Sequence, residues 1–146
     1  MDLLSLVVRT LRSQPYGFLA TSSLAGPSVR LVQHLRVDDD ATVWLGTSPV
    51  SRKISEVREQ DDATYAVEDR EAFAYAVVRG RADIVEDPTM RRVLWDPGLQ
   101  AFFPDGPDGN DFVLLRIAPS SLEAMSFADS VHPDPYGLRA AVLAVT

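Results

Sequence analysis

The stretch RLVQHLRVDDDATVWLGTSPVSRKISEV, residues 30–57, contains two predicted strands, the turn between them and the beginning of a helix. Apolar and polar residues alternate before the acidic turn, and a second apolar run ends at Thr47. Ser51 is the predicted N-cap of the following helix, with Ile54 and Val57 facing inward. The stretch therefore predicts an antiparallel strand pair that leads directly into a helix.

The first strand of this pair is predicted to have two distinct faces. One is apolar except for Gln33, and its other members are Val29, Leu31, Leu35 and Val37. The second face carries Arg30, Val32, His34 and Arg36. This alternation is typical of a half-buried strand.

The rest of the chain adds more strands than helices. Helices are predicted from Leu3 to Ser13 and after Asp87, which is the expected N-cap before Pro88. In the strand at 73–87 the even positions are small and apolar, and Gly80 is a predicted bend. About six strands come in runs rather than alternating with helices, which favours an antiparallel barrel over a parallel sheet.

Length, charge and composition limit the class of protein. The 146 residues suit one domain over 1–146. A net charge of −7 without a basic stripe argues against nucleic-acid binding. No apolar run reaches the length of a membrane span. The absence of cysteine fits a reducing, cytoplasmic environment.

Hydroxyl groups and cations are concentrated at the start of the second predicted helix. They belong to Thr47, Ser48, Ser51, Arg52 and Lys53, the last being the only lysine of the chain. The N-terminus of a helix attracts anions, and such cations suit a phosphate. The same residues also suit an ordinary capped helix with solvated cations. The pattern alone leaves both interpretations open.

Arg30 is a second candidate for this anion site. A short turn joins its strand to the one that ends at Thr47, so an antiparallel pair brings Arg30 near the level of Thr47. The alternative is a solvent-facing strand arginine. His34 shares the face of Arg30 and either borders a substrate pocket or lies at a dimer interface. Asp38–Asp40 are predicted to form a solvated turn rather than a metal site, because the spacing of a calcium loop is missing.

The stretch 30–57 resembles the cofactor segment of the pyridoxamine-phosphate-oxidase-like, FMN-binding split barrels. The arginine-led strand, the turn, the aromatic-containing strand ending in a threonine dipeptide, and Ser-Arg-Lys at the helix start match that family in order and spacing. Residues 14–30 are similar to its first hairpin, and VVRGRADIVED (77–87) is similar to its Gly-x-Ala strand. Residues 93–117 are similar to the general stress protein branch. The resemblance covers roughly residues 3–124.

The resemblance implies a mainly β fold, a six-stranded antiparallel split β-barrel with a few flanking helices. It also implies a homodimer with FMN at the subunit interface and an FMN-dependent oxidoreductase with a small-molecule substrate. By the same resemblance, Arg52 and Lys53 bind the FMN phosphate, assisted by the hydroxyls of Thr47 and Ser51, with Ser48 beside them. No protein side chain is expected to act as acid or base, and no metal is expected.

The remaining cofactor contacts implied by the resemblance come from two other segments. Arg30 reaches the phosphate or the ribityl chain, and the backbone of Leu31, Val32 and Gln33 follows the edge of the isoalloxazine ring. The partner chain supplies aromatic residues that wall the flavin, namely Trp95, Phe102 and Phe103. For these three, anchoring of their own loop is the alternative interpretation.

Some features leave the activity open. The end of the chain, DPYGLRAAVLAVT (134–146), lacks the tryptophan and Arg-Leu-x-x-Arg segment with which true pyridoxamine-phosphate oxidases close, so that reaction is not expected. Three alternatives to an FMN oxidoreductase are a reductase that binds the deazaflavin F420, a non-catalytic flavin-binding or stress-associated protein, and a structural dimer without a cofactor.

Overall fold

The computed structural model of the protein describes residues 2–132 and 139–146, which form seven strands, three α-helices and one short 3₁₀ helix. The end of the chain, residues 134–146, lies partly outside the described residues. The helices and strands are α1 (Leu3–Arg12), β1 (Tyr16–Ser23), β2 (Gly26–Val37), β3 (Val43–Thr47), α2 (Arg52–Glu59), β4 (Asp62–Asp69), β5 (Ala74–Val85), α3 (Pro88–Leu94), the 3₁₀ helix (Pro97–Ala101), β6 (Val113–Ser126) and β7 (Ala141–Ala144).

Six of the strands close into an antiparallel barrel. β2 pairs with β1, β1 with β4, β4 with β5, and β5 with β6. β3 pairs with both β2 and β6 and thereby completes the ring. The predicted six-stranded antiparallel barrel with flanking helices is therefore confirmed. β7 pairs with residues 121–124 of β6 on the edge that faces away from β5, in a tail for which the sequence predicted no element.

The helices pack on the barrel through apolar faces. Leu6, Val7 and Leu11 of α1 are fully buried in the main core, together with Ile54 and Val57 of α2, as predicted for the last two. Each large apolar side chain buried in this way contributes about 1.5–3 kcal/mol. In the part of the chain that the structure describes, no helix has the length and apolar character needed to cross a membrane.

β5 bends at Gly80, as the sequence predicted. The alternate residues of its small apolar face point into the barrel, and the register with β6 shifts between Arg79 and Gly80. A Cβ atom at position 80 would lie 1.9 Å from the carbonyl oxygen of Ala118. Only glycine allows β5 and β6 to approach so closely.

β2 departs from its predicted faces. The register with β3 shifts between His34 and Arg36, so one extra residue reverses the side-chain alternation. Val37 is buried, whereas Val29 and Leu31 are exposed on the outer surface, at 63% and 59%. The prediction of one continuous apolar face from Val29 to Val37 is therefore wrong.

Candidate anion-binding site

The hydroxyls of Thr47, Ser48 and Ser51 lie in and next to the turn between β3 and α2. Ser51 is the N-cap of α2, as predicted, but its side chain makes no capping hydrogen bond. Its hydroxyl oxygen instead accepts a hydrogen bond of 3.1 Å from the buried Thr47 hydroxyl. In the first turn of α2 the N–H of Ile54 donates to the Ser51 carbonyl oxygen at 3.2 Å, and the helix dipole adds partial positive charge at this end. The start of α2 therefore lacks the side-chain cap that the interpretation as an ordinary capped helix expects.

Arg30 lies on the inner side of the barrel wall rather than in solvent. Its Nη1 donates hydrogen bonds to Thr21 Oγ1 at 2.8 Å and to the carbonyl oxygen of Leu19 at 3.3 Å. Its Nη2 is buried and forms no hydrogen bond with any described residue. A buried donor without a partner costs about 1–3 kcal/mol. Nη2 lies 3.6 Å from Glu56 Oε1, an ion pair without a hydrogen bond, and the side chain is only 22% exposed. Arg30 is therefore not a solvent-facing strand arginine.

Lys53 adds a second partly buried cation. Burial, and secondly the positive charge of Arg30, lower the pKa of Lys53. Lys53 lies in the first turn of α2, three residues before Glu56, which forms an ion pair with Arg30. Arg52 differs from Lys53, since its side chain is 80% exposed and its Nε lies 3.4 Å from Glu56 Oε1. Lys53 and Arg30 are thus the two partly buried cations of this group, and Arg52 is the exposed one.

Glu56 is a member of this cluster that the sequence reasoning did not identify. Its side chain is buried, and Oε2 accepts a hydrogen bond of 2.8 Å from Thr21. This hydrogen bond is the main cause that lowers the pKa of Glu56, with smaller contributions from Ser28, Arg30 and Arg52. The carboxylate is therefore ionised at neutral pH. Its position four residues after Arg52 was the one available sequence signal.

The residues assigned to the flavin ring are divided between two places. Leu31 and Gln33 lie on the outer surface of β2, while Val32 faces inward. Trp95 packs edge-on against Phe112 of its own chain, with ring centroids 5.1 Å apart. Phe103 packs on the same ring. Trp95 and Phe103 therefore pack against a core residue of their own chain, which is the contact that loop anchoring requires.

The other polar candidates have partners inside the chain. His34 lies on the same face as Arg30 and its Nδ1 is 2.7 Å from the Tyr65 hydroxyl. The three turn aspartates accept hydrogen bonds from Trp44, Arg12 and the backbone of Thr42. Among the described residues, no group of three or more histidines or carboxylates could hold a metal ion.

A sequence model of proteins described as pyridoxamine 5'-phosphate oxidase like matches residues 4–129, which is most of the chain. The chain belongs to this family. The match includes the barrel strands through β6 and the whole cluster around Arg30 and Glu56. No curated protein sequence matches the chain.

Solved structures of several other proteins share the fold of this pyridoxamine 5'-phosphate oxidase-like chain. One is a Clostridium acetobutylicum protein related to general stress protein 26, with a TM-score of 0.80, 18% identity, and coverage of 99% of this chain and 97% of that chain. General stress protein 26 of Bacillus anthracis has a TM-score of 0.78 and 20% identity, with coverage of 99% of this chain and 100% of that chain. A pyridoxamine 5'-phosphate oxidase-related, FMN-binding protein of Nostoc punctiforme has a TM-score of 0.67 and 18% identity, with coverage of 98% of this chain and 94% of that chain.

Proposed function

We propose that the protein is an FMN-binding oxidoreductase whose cofactor phosphate is held at the start of α2. One observation carries the proposal: the buried Nη2 of Arg30 has no hydrogen-bond partner among the described residues and only an ion-pair contact of 3.6 Å with Glu56 of α2, the helix whose first turn contains Lys53. Membership of the pyridoxamine 5'-phosphate oxidase-like family supports a phosphate-bearing flavin. The FMN-binding relative from Nostoc punctiforme adds to this support.

The donors of the site fit a phosphate monoester. Arg30 and Lys53 supply charge, Ser51 and Thr47 supply hydroxyls, and α2 supplies backbone N–H groups. A phosphate monoester carries about −1.5 to −2 charge at pH 7 and three strong acceptor oxygens. Charge-assisted hydrogen bonds of this kind are roughly twice as strong as neutral ones. The role of these residues is to bind and orient the cofactor, and bound FMN would supply the hydride chemistry.

We further propose that two copies of the chain pair through the outer face of β1 and β2. The exposed side chains of Phe18, Val29 and Leu31 lie beside one another on this face. In the strand register Phe18 pairs with Leu31, and Val29 lies two residues before Leu31 on the same face. Such a patch on a single protein chain marks an interaction surface. Arg30 and Leu31 are neighbours on opposite faces of β2, so this arrangement would connect a phosphate site inside with a flavin ring at the interface.

A cysteine-free chain of this kind suits the cytoplasm.

The test is to identify the cofactor of the purified protein and to titrate it with FMN, riboflavin and F420. We expect yellow protein that releases FMN on denaturation and binds FMN much more tightly than riboflavin, which lacks the phosphate. Binding of F420 in place of FMN would overturn the proposed cofactor and support the deazaflavin alternative. Protein that binds none of the three would overturn the proposal altogether. Oxidation or reduction of a bound flavin by substrates then separates an enzyme from a storage protein.

A further inference from the structure

Glu56 is a buried carboxylate among cations, and the proposed function gives it no role. Only 6% of the residue is exposed. Its Oε1 lies 3.6 Å from Arg30 Nη2 and 3.4 Å from Arg52 Nε, while Oε2 accepts the hydrogen bond from Thr21. By Coulomb's law alone, a negative charge in this position would repel a bound phosphate. Its presence beside the site therefore needs another explanation.

Two hydrogen bonds lead from Arg30 through Thr21 to Glu56, and the donor of each is fixed by the chemistry of the groups. A guanidinium group can only donate, so the hydroxyl oxygen of Thr21 accepts the hydrogen bond from Arg30 Nη1. The one proton of that hydroxyl is then donated to Glu56 Oε2. Thr21 is 2% exposed, so solvent has little access to its hydroxyl. The Thr21 hydroxyl thus connects Arg30 to the Glu56 carboxylate, even though the two charged side chains share no hydrogen bond.

Charge balance in the cluster also depends on Glu56. Arg30, Arg52 and Lys53 carry three positive charges in one region, and Glu56 is the carboxylate that pairs with two of them. Without it, Arg30 would be left partly buried with Lys53 as its charged neighbour. A buried charge that loses its partner reorients or becomes costly.

We propose that Glu56 is a positioning residue: through Thr21 it holds Arg30 in the orientation that binds the cofactor phosphate. This inference rests on the proposed function. It has an unusual consequence, since removal of a negative charge should weaken the binding of an anion. Simple electrostatic repulsion predicts the opposite sign, so the two explanations are separable.

The experiment compares FMN and riboflavin affinities of Glu56→Ala with those of the wild type, by titration. We expect Glu56→Ala to weaken FMN binding about tenfold or more and to leave riboflavin binding unchanged. Glu56→Gln should recover part of the loss, because its amide oxygen still accepts a hydrogen bond from Thr21. Glu59→Ala is the matched control: Glu59 is exposed on the same helix, so the same charge is removed without loss of FMN affinity.

A double-mutant cycle tests whether Glu56 acts through Arg30. Arg30→Ala alone should weaken FMN binding, and Glu56→Ala should add little further loss in that background, because the two residues act as one unit. A full additional loss in the Arg30→Ala background would overturn the positioning role. So would an FMN affinity that stays unchanged or rises in Glu56→Ala, or an equal loss for riboflavin.

Thermal unfolding shows whether each variant is folded. If Glu56→Ala does not fold, Thr21→Val carries the same test, because it removes the connecting hydroxyl at nearly the same volume. An unchanged FMN affinity in Thr21→Val would overturn the inference. Failure of the proposed function is seen separately, in wild-type protein that binds FMN no more tightly than riboflavin.

Discussion

His34 and Tyr65 share a hydrogen bond of 2.7 Å between Nδ1 and the phenolic hydroxyl, and their rings meet edge to face. Tyr65 is fully buried in β4 and His34 lies on the inner face of β2. A Cβ at Gly17 in the intervening strand would lie 2.5 Å from the Tyr65 ring, so the absence of a side chain there gives the ring its space. The pair therefore joins two strands that are not neighbours in the barrel.

Removal of the Tyr65 hydroxyl tests the contribution of this pair to stability. Tyr65→Phe should lower the free energy of unfolding by about 1–3 kcal/mol, because the partly buried Nδ1 of His34 loses its hydrogen-bond partner. Urea denaturation measures the change. Tyr75→Phe is the control, since Tyr75 is exposed and its variant should change stability by less than about 0.5 kcal/mol. Equal effects of the two variants would contradict the prediction.

The same histidine should make stability depend on pH. Burial lowers the pKa of His34 in the folded protein, whereas the unfolded chain should titrate near about 6.5. The unfolded state then takes up the proton first as the pH falls. The contribution of neutral His34 is therefore retained above about pH 6.5 and lost as the pH decreases towards the lowered folded pKa. Urea midpoints between about pH 7.5 and 5.5 should fall for the wild type and fall less for His34→Gln; parallel profiles would contradict this assignment.

Gly80 should tolerate no side chain. The Cβ of Gly80→Ala would overlap the Ala118 carbonyl oxygen, which belongs to the backbone of β6 and has little room to move. We expect a loss of about 2 kcal/mol or more in unfolding free energy, measured by chemical denaturation. Gly98→Ala is the matched control, because the atom nearest to its Cβ would be 3.8 Å away. A stable Gly80→Ala variant would show that β5 and β6 can separate at this bend.

The two adjacent cations of α2 should contribute unequally to FMN binding. Lys53→Ala should cause most of the loss, because Lys53 is partly buried beside Arg30, while Arg52 is exposed and already pairs with Glu56. The double variant should lose about 2–4 kcal/mol of FMN binding free energy, measured by titration. Arg58→Ala, at the other end of α2, should leave the affinity unchanged. An unchanged affinity in the double variant would remove the phosphate assignment.

The outer face of β1 and β2 should control the oligomeric state. Phe18→Asp places a charge in the centre of the proposed interface and should convert a dimer into a monomer, measured by size-exclusion chromatography with light scattering. Leu24→Asp is the control, since Leu24 is 98% exposed in the turn between β1 and β2. If both variants remain dimeric, the interface lies elsewhere.

Several features of the fold could be read from the sequence because they are local. Asp87 and Ser51 begin their helices where polar residues precede apolar ones. The small even-numbered residues of β5 face the core, and Gly80 bends the strand. The cations of the start of α2 are adjacent in the chain, so the sequence placed them together without knowledge of the fold.

The sequence by itself determined most strands, turns and helix caps, since periodicity, caps and turn residues depend on near neighbours in the chain, and their order favoured an antiparallel barrel. Only the tertiary structure decided which way β2 faces, because the extra residue after His34 is visible only against β3. It also decided the role of Glu56, whose hydrogen-bond donor Thr21 lies 35 positions away. Burial of a charge depends on residues that folding brings together from distant positions, and no local pattern records that.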